Sequence, residues 1–314
     1  MANTARQFVA EEIAQGHETS VTDRLDDVVP GIDVVYIHGA WLPVLWKAAK
    51  RAKSVGAKLI IRPAGSYDPV RLAYHSWKKR LVAFFEHRML RRADVLLATC
   101  RAEAGWIGDY VGKRCPKVEI TDLKRFFDLE GGIRKERKGR KEDLFKLNIL
   151  YLGRKHPLKG VEFLEAAVAE LGGDSRSRGA NSNSGIDDFC REKNLSGNCS
   201  TSTLNSDSKQ IELRIVSNAS GEEKEKVWDW CDVLVLPTLS ENFGRVIAEA
   251  LERGKPVITT DGAPAWGDGN DYGRRLIYLE GYRDGLPTER IDMLVKAIES
   301  VAKKYVFSKG VHVE

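Results

Sequence analysis

The amino-acid sequence predicts an α/β protein of two Rossmann-like domains, each a doubly wound parallel sheet with helices on both faces. The chain has 314 residues, more than the usual single domain of about 100–150 residues. Buried strands alternate with amphipathic helices in both halves, and a densely charged stretch at residues 122–145 interrupts that alternation. We therefore assign residues 1–143 to an N-terminal domain with its linker and residues 144–314 to a C-terminal domain.

The alternation of elements is regular in both halves. The N-terminal half is predicted to contain helices near residues 4–15 and over 45–56, 76–93 and 101–112, with strands over 34–39, 58–63, 94–100 and 117–121. The C-terminal half is predicted to contain strands over 147–153, 211–217, 233–237 and 256–260, helices over 161–171 and 222–231, and a further helix that starts near Phe243. Residues 172–209 are rich in Ser, Asn and Gly, which predicts a long flexible insertion with one short helix near 186–194.

The composition narrows the class of protein. Hydrophobic residues make up 42% of the chain and charged residues 30%, values typical of a globular protein. No stretch is apolar for the roughly 18 residues that suggest a spanning helix, and we expect no signal peptide. The five cysteines show neither CxxC pairs nor metal-ligand spacing. We therefore expect a cytoplasmic protein with free thiols.

The segment with the most chemical information follows the predicted strand VLVLP. Its sequence is LPTLSENFGRVIAEALERGKPVITTDGAP, in which a strand ends, a short loop follows and a helix starts. Unpaired backbone N–H groups at a helix start favour an anion, so Phe243, Gly244 and Arg245 are candidate ligands of a phosphate or a sugar oxygen. Glu241 and Glu249 are eight residues apart. We therefore expect them on one helical face, where they suit two hydroxyl-bearing groups of one ligand.

A second loop carries cations. The sequence GRKHPLKG at residues 153–160 connects a strand to a helix and contains Arg154 and Lys159. Both loops follow the carboxyl ends of strands, which is where open parallel sheets bind ligands. We expect the two cations to converge on a diphosphate, and we expect Lys155 and His156 to shape the loop.

These motifs resemble those of the family 4 glycosyltransferases, whose GT-B fold has two Rossmann-like domains facing each other across a cleft. The segment SENFGRVIAEALERGKPVITTDGAP matches the E-x7-E segment of that family, and GRKHPLKGVEFLEA matches its G-R-x-x-x-x-K-G-x-x-x-L segment. Weaker likeness runs through the first half, from DVVYIHGAW to RRADVLLATCRAE. Within the family, GEEKEKVWDWCDVLVLPTLSENFG is most similar to bacterial enzymes of lipopolysaccharide core or related surface polysaccharide synthesis.

The resemblance implies a role for each matching residue. Arg154 and Lys159 would hold the donor diphosphate and stabilise the leaving nucleotide. Glu241 would contact hydroxyls of the transferred sugar, and Glu249 would bind the ribose. The remaining donor contacts would come from the adjoining loop, namely Asn242, Phe243, Gly244 and Arg245. The implied reaction moves a hexose, with retention of configuration, from a UDP- or GDP-sugar to a lipid-linked or lipopolysaccharide saccharide, with no cofactor and no bound metal.

The chain departs from the family pattern at two places. The family opens with a strand and a glycine-rich loop before its first helix, whereas this chain starts at what corresponds to that helix. We therefore expect the first strand to be missing from the N-terminal, acceptor-side domain. Ala64 stands in RPAGS where many members carry a histidine. An alternative stays open, in which a catalytically impaired member binds nucleotide-sugar or membrane as a partner subunit. A nucleotide-sugar epimerase or a phosphorylase of similar architecture is a further rival.

The first half offers candidates for acceptor binding. His38 and Trp41 in IHGAW end a strand on the ligand side of the first sheet, where they could line an acceptor cleft. The alternative is that both side chains pack in the core. Asp68 and Arg71 leave a similar choice, between contact with the acceptor and a helix cap with its partner.

Helix 76–92 combines basic and aromatic side chains. Seven cationic residues accompany Trp77, Phe84 and Phe85, namely Lys78, Lys79, Arg80, His87, Arg88, Arg91 and Arg92. This composition is typical of an interfacial helix on anionic lipid, which would make the enzyme peripheral on the inner face of the cytoplasmic membrane. The alternative is a buried Phe face with a solvated basic face. Nucleic-acid binding is not expected, because no helix-turn-helix, ribonucleoprotein motif or zinc site is present.

Overall fold

The chain divides into two compact units, Met1–Phe126 and Phe127–Glu314. A computed structural model describes residues 2–74, 76–129, 146–172, 200–205 and 210–308. Each unit contains one sheet with its own helices, which confirms the predicted α/β class. The boundary predicted near residue 143 and the short helix predicted near 186–194 lie outside the described residues.

The sheet of the first unit is parallel throughout and has the order β1-β2-β3-β4. Its strands are β1 (Val34–His38), β2 (Lys58–Arg62), β3 (Val95–Ala98) and β4 (Lys117–Ile120). Its helices are α1 (Ala2–Ala14), α2 (Pro43–Ser54), α3 (Pro69–Ala73), α4 (Ser76–Leu90) and α5 (Arg101–Val111). This order follows from the alternation in the sequence, because parallel neighbours require a crossover connection and helices supply it here.

The core of the first unit joins its central strands to the helices. Leu59 and Ile61 of β2 and Leu96 of β3 are fully buried, and Ala49 and Ala52 of α2 belong to the same cluster. The two alanines are three residues apart, so they lie on one face of α2 and let it pack closely. Burial on both faces explains why these strands are continuously apolar in sequence.

Helix α4 is oriented by a buried carboxylate. Glu86 is fully buried, and its carboxylate accepts hydrogen bonds from the backbone N–H of Trp41 at 3.2 Å, the indole N–H of Trp46 at 2.5 Å and the hydroxyl of Tyr67 at 2.5 Å. The two phenylalanines of α4 are exposed instead. The alternative of a buried Phe face is therefore wrong, because three donors in the core require the carboxylate to point inward.

The sheet of the second unit has the order β10-β9-β8-β5-β7-β6. Its strands are β5 (Lys146–Leu152), β6 (Ser200–Asn205), β7 (Gln210–Val216), β8 (Val233–Leu236), β9 (Val257–Thr260) and β10 (Leu276–Leu279). Its helices are α6 (Val161–Leu171), α7 (Gly221–Trp230), α8 (Arg245–Glu252) and α9 (Pro287–Ser308). The inner strands β8 and β9 are buried along their whole length.

Part of the predicted insertion is a strand. Residues 200–205 form β6, which pairs antiparallel with β7 from Ser200 opposite Ile215 to Asn205 opposite Gln210. The sequence predicted no strand in this segment. Its Ser- and Thr-rich sequence resembles a loop in isolation, but the β-branched threonines are compatible with an edge strand once β7 supplies a partner.

The last part of the chain carries two elements that the sequence did not predict, β10 and α9. Strand β10 pairs parallel with β9, with Leu276 opposite Val257. Among the described residues, no helix is both long and apolar enough to cross a membrane. The described cysteines are free thiols, namely Cys100, Cys115 and Cys231.

Candidate functional site

Two loops of the second unit meet at one edge of its sheet. Strands β5 and β8 pair in parallel, with Ile149 opposite Val233, so the loops that follow them lie at the same edge. The backbone carbonyl of Leu158 accepts hydrogen bonds from the backbone N–H groups of Leu239 at 2.9 Å and Ser240 at 3.3 Å. The loop after β5 is thereby fixed against the loop after β8.

Two glycines make this close approach possible. A Cβ atom at Gly160, whose φ is +61°, would lie 2.1 Å from the carbonyl oxygen of Pro237. A Cβ atom at Gly262 would lie 1.9 Å from the carbonyl oxygen of Thr238. The loop after β9 joins the same assembly, because the backbone N–H of Glu241 donates to the carbonyl of Gly262 at 2.7 Å. Three consecutive loops of the sheet edge therefore form one rigid support.

Lys159 and Glu241 form an ion pair on this support. The ammonium Nζ of Lys159 lies 2.5 Å from Oε2 of Glu241 and 3.0 Å from the carbonyl oxygen of Ser240. The other carboxylate oxygen of Glu241 accepts from the backbone N–H of Asn242 at 3.0 Å. The exposed fractions of the two charged side chains are 17% and 23%, so the pair is partly shielded from water yet reachable by a ligand.

Arg154 lies on the same loop as Lys159 and is exposed. Its backbone carbonyl accepts from the hydroxyl of Tyr151 at 2.9 Å, and burial raises the pKa of that phenol, so it remains a neutral donor. Among the described residues, none forms an ion pair with the guanidinium of Arg154. His156 caps the short 3₁₀ turn Pro157–Lys159 by accepting from the backbone N–H of Leu158, so it shapes the loop.

Helix α8 begins at Arg245, two residues later than predicted. Gly244 precedes it in the left-handed region, with φ +67° and ψ +60°. A Cβ atom there would lie 2.9 Å from Cδ1 of Ile247. The ring of Phe243 packs against Trp266, with 5.3 Å between ring centroids, and its backbone carbonyl accepts from the Trp266 indole N–H. Asn242, Phe243 and Gly244 are therefore loop residues, anchored by a buried aromatic pair.

The two acidic residues of the E-x7-E segment occupy different elements. Glu241 lies in the loop four residues before α8, whereas Glu249 lies within α8. Their expected position on one helical face is therefore wrong, because the left-handed Gly244 interrupts the helix before it reaches Glu241. The carboxylate Oε2 of Glu249 is 2.6 Å from Nζ of Lys224 on α7, close enough for an ion pair but without hydrogen-bond alignment.

Arg245 turns toward an aromatic ring. Its guanidinium lies 5.4 Å from the ring centroid of Phe127, within the range of a cation–π contact. Phe127 in turn stacks on Phe243 with 5.9 Å between the ring centroids. The side chain of Arg245 thus supports the loop from one side.

Comparison with known families assigns both units. Residues 3–120 match the model of the glycosyl transferase 4-like domain, and residues 146–280 match the model of glycosyl transferases group 1. The chain belongs to the family 4 glycosyltransferases. This glycosyltransferase is 27% identical over 318 aligned positions to the D-inositol 3-phosphate glycosyltransferase of Nocardioides sp., covering 81% of this chain and 67% of that protein.

A second relative and a solved structure are also similar to this chain. The corresponding protein of Geodermatophilus obscurus is 28% identical over 186 aligned positions, covering 55% of the glycosyltransferase and 39% of the relative. The chain thus spans about two thirds of the first relative and well under half of the second. The α,α-trehalose 6-phosphate synthase of Burkholderia multivorans is 13% identical, with a TM-score of 0.53, covering 90% of this chain and 68% of that chain. This likeness supports the GT-B fold.

The acceptor candidates of the glycosyltransferase lie in its first unit. The His38 ring packs against Phe8, with 5.7 Å between centroids. Burial, followed by the charge of Arg62, lowers the pKa of His38 to about 4. Trp41 has a φ of +67° and packs edge-on against Tyr67 at 5.7 Å. Both side chains therefore contact the core, and their role in acceptor binding stays a prediction.

Two loop features of the first unit complete the comparison with the sequence. Asp68 accepts a hydrogen bond from the backbone N–H of Val70 and caps α3. Of the two roles considered for Asp68, this is the helix cap. Ala64 has a φ of +56°. The adjacent backbone N–H of Gly65 donates to the buried carboxylate of Glu103 at 2.5 Å. Glu103 is not among the residues predicted from the sequence, although it lies in the first turn of α5, a position that acidic residues favour.

Proposed function

We propose that the second unit of this glycosyltransferase binds a UDP- or GDP-sugar at the loops that carry Lys159 and Glu241. The observation that carries the proposal is the ion pair between these two residues at the carboxyl edge of a parallel sheet, where ligands of such sheets bind. A diphosphate requires cations, and Lys159 and the exposed Arg154 supply them from one loop. Glu241 supplies an acceptor for sugar hydroxyls on the facing loop.

The ion pair suggests how the donor enters. Without a ligand, the charge of Lys159 is neutralised by Glu241. A bound donor would offer phosphate oxygens to the ammonium and hydroxyl donors to the carboxylate, so both charged groups would exchange one partner for another. This exchange limits the cost of opening the pair, because neither charge is left without a partner.

The proposed reaction is hexosyl transfer with retention of configuration. The bond between the anomeric carbon and the diphosphate oxygen breaks, the bonding electrons leave with the nucleoside diphosphate, and the acceptor oxygen bonds to the same face of the sugar. The acceptor proton leaves with the departing phosphate. Lys159 and Arg154 would stabilise the charge that grows on the diphosphate, in place of a bound metal, and each such contact typically lowers the barrier by about 2.7–4 kcal/mol.

The remaining contacts of the donor are assigned to neighbouring residues. Glu249 would accept from the ribose hydroxyls, in competition with its present partner Lys224. The loop residues Asn242, Phe243 and Gly244 would offer backbone N–H groups, and the buried Phe243 holds that loop in place. Arg245 would add positive charge near the nucleotide.

For the acceptor we propose a saccharide on a lipid carrier or a lipopolysaccharide core, with the protein peripheral on the inner face of the cytoplasmic membrane. The exposed aromatic and basic residues of α4 support a lipid-linked acceptor. A second candidate is a soluble inositol phosphate or sugar phosphate, which the names of the two curated relatives support. Assays with both acceptor classes separate these candidates.

A catalytically impaired member that binds nucleotide-sugar without turnover is the second candidate function. It is supported by Ala64, a methyl side chain where many family members carry a histidine. Such a chain would keep the donor site of the second unit and lack, in its first unit, the imidazole that those members carry.

The test combines donor binding with turnover. The wild-type protein is incubated with UDP-, GDP- and ADP-sugars, and the thermal shift and the release of nucleotide are measured. Arg154→Ala and Glu241→Ala are the test variants, and Glu165→Ala removes an exposed carboxylate of α6 as a control. We expect one donor to raise the melting temperature of the wild-type and control proteins only.

Two outcomes of this experiment are informative against the proposal. An unchanged melting temperature across the whole panel of nucleotide-sugars would contradict the proposed donor site. A shift without nucleotide release or transfer to either acceptor class would favour the impaired member.

A further inference from the structure

The exposed face of α4 is apolar. Trp77, Leu81 and Phe84 follow at intervals of four and three residues, so they lie on one side of the helix. Their exposed fractions are 61%, 72% and 70%. Glu86 lies on the opposite side, where it holds three donors of the core. Helix α4 therefore presents these three apolar side chains to the outside, where an ordinary surface helix presents polar ones.

The same side of the helix continues into a group of arginines. Arg88 and Arg91 lie four and seven residues after Phe84, on the same side of the helix as Trp77, Leu81 and Phe84. They open onto a cavity of about 310 Å³ between α4 and the end of α5, lined by Phe84, His87, Arg88, Arg91, Arg92 and Arg114. Arg114 comes from the 3₁₀ turn Gly112–Arg114, so two separate elements bring their cations to one cavity.

Among the described residues, no carboxylate lines this cavity. Within the described part of the chain, none of its four arginines forms an ion pair with an acidic side chain. Burial, followed by the charge of Arg88, lowers the pKa of the Arg92 guanidinium, as expected for cations that repel one another. His87 stacks on Tyr110 with 4.4 Å between the ring centroids, and its Nδ1 is buried without a hydrogen-bond partner in the described structure. The cavity therefore has strong positive charge and needs an anion.

We propose that α4 and the arginine cavity dock this protein on a membrane of anionic phospholipid. A lipid phosphate would occupy the cavity, and Trp77, Leu81 and Phe84 would enter the boundary between the headgroups and the acyl chains. An anionic lipid surface matches both parts, because it combines phosphate groups with hydrocarbon a few ångströms away. A soluble phosphate would match the cavity alone, and a nucleic acid would leave the aliphatic Leu81 without a partner.

This proposal deepens the peripheral membrane location proposed above, and it does not depend on the donor site of the second unit. It would bring the acceptor-side unit to the surface where a lipid-linked saccharide is found. Because donor binding and membrane binding are measured separately, failure of one leaves the other standing.

The test is flotation of the full-length protein with vesicles. One set consists of phosphatidylcholine, and the other is an equal mixture of phosphatidylcholine and phosphatidylglycerol. We expect binding to the mixed vesicles only, weakened by salt because the charge contribution is screened. The far-UV circular dichroism and melting temperature of each variant are measured first, so that a loss of binding is compared between folded proteins.

Two pairs of variants separate the contributions. Arg88→Gln with Arg114→Gln is compared with Lys303→Gln and Lys304→Gln, which remove the same charge from exposed positions of α9. Leu81→Ser is compared with Leu286→Ser, which changes another exposed leucine. We expect the arginine pair to weaken vesicle binding about 25-fold and Leu81→Ser about ten-fold, while both controls bind like the wild-type protein.

Three results would overturn the proposal. The first is equal binding of the arginine variant and its lysine control, which would make the cavity irrelevant. The second is unchanged vesicle binding of Leu81→Ser, which would reduce the interaction to adsorption by charge. The third is saturable binding of inorganic phosphate or of duplex DNA by a protein that does not float with the mixed vesicles.

Discussion

The ammonium of Lys159 and the carboxylate of Glu241 form an ion pair at 2.5 Å between two loops that are 82 positions apart in sequence. The backbone hydrogen bonds of Leu158 fix one loop against the other, so the pair sits on a support that does not depend on the charges themselves. Pairs that are partly exposed contribute little to stability, at most about 1 kcal/mol. We therefore propose that the main role of this pair is to place a cation beside an acceptor for sugar hydroxyls.

A substitution at Gly160 tests the close packing of the two loops that carry Lys159 and Glu241. We predict that Gly160→Ala destabilises the protein by about 2–4 kcal/mol, because the new Cβ would meet the Pro237 carbonyl at 2.1 Å in a left-handed conformation. Gly105→Ala is the matched control, since it lies in α5 with nothing within 4 Å of the new Cβ. Urea-induced unfolding measures both. Equal unfolding midpoints of the two variants would refute the claim that the loops require a glycine.

The buried carboxylate of Glu86 is predicted to hold the first unit together. Glu86→Leu removes the acceptor of three hydrogen-bond donors and is expected to cost about 3–5 kcal/mol of unfolding free energy. Glu86→Gln keeps one acceptor oxygen and should cost less. Thermal unfolding of both variants provides the comparison. A Glu86→Leu protein as stable as the wild type would show that the inward orientation of α4 has another cause.

His38 predicts a dependence of stability on pH. Its folded-state pKa of about 4 lies below the ordinary value of 6.5, so the unfolded chain binds more protons between these values. Its contribution is fully present above pH 6.5 and is lost as the pH falls toward 4, by about 3 kcal/mol near the lower end. His38→Phe should show a smaller loss of stability than wild type over this range, and His17→Gln, at an exposed position, should behave like the wild type.

Substitutions of Glu249 and of its partner Lys224 should differ in their effect on the binding of the nucleotide-sugar donor. Both Glu249→Gln and Lys224→Gln break a partly exposed ion pair, and we predict changes in stability within about 1 kcal/mol for each. Only Glu249→Gln should weaken donor binding, by about ten-fold, because the ribose would lose a charged acceptor. Calorimetric titration distinguishes the two variants. Equal donor affinities would mean that Glu249 has only its contact with α7.

The sequence predicted that the loops of Lys159 and Glu241 lie at one edge of the sheet, because each follows the carboxyl end of a buried parallel strand. It did not predict the ion pair itself. It could not place the start of α8. An E-x7-E spacing fits one continuous helix, and only the left-handed conformation of Gly244 separates Glu241 from the helix that contains Glu249. The partner of Glu249, on α7, depends on tertiary packing that the spacing of residues does not report.

The orientation of α4 was open for a similar reason. Its phenylalanines are typical core residues. The sequence does not show that three hydrogen-bond donors of the core require the carboxylate of Glu86 on the inward face. A signal was available, since Glu86 is the single acidic residue in a basic helix. Strand β6 was missed because its polar composition is typical of a loop, and the pairing with β7 that makes it a strand is not visible in the segment itself.

The most direct test of the donor site compares two neighbouring lysines of one loop. Lys159 contacts Glu241, whereas the ammonium Nζ of Lys155 lies 3.6 Å from Oε1 of the exposed Glu165. Calorimetric titrations of UDP- and GDP-sugars are carried out with the wild-type protein, Lys159→Gln and Lys155→Gln. We predict that Lys159→Gln binds the donor about 10- to 100-fold more weakly, while Lys155→Gln binds like the wild type. An unchanged donor affinity of Lys159→Gln would contradict the assignment of the site.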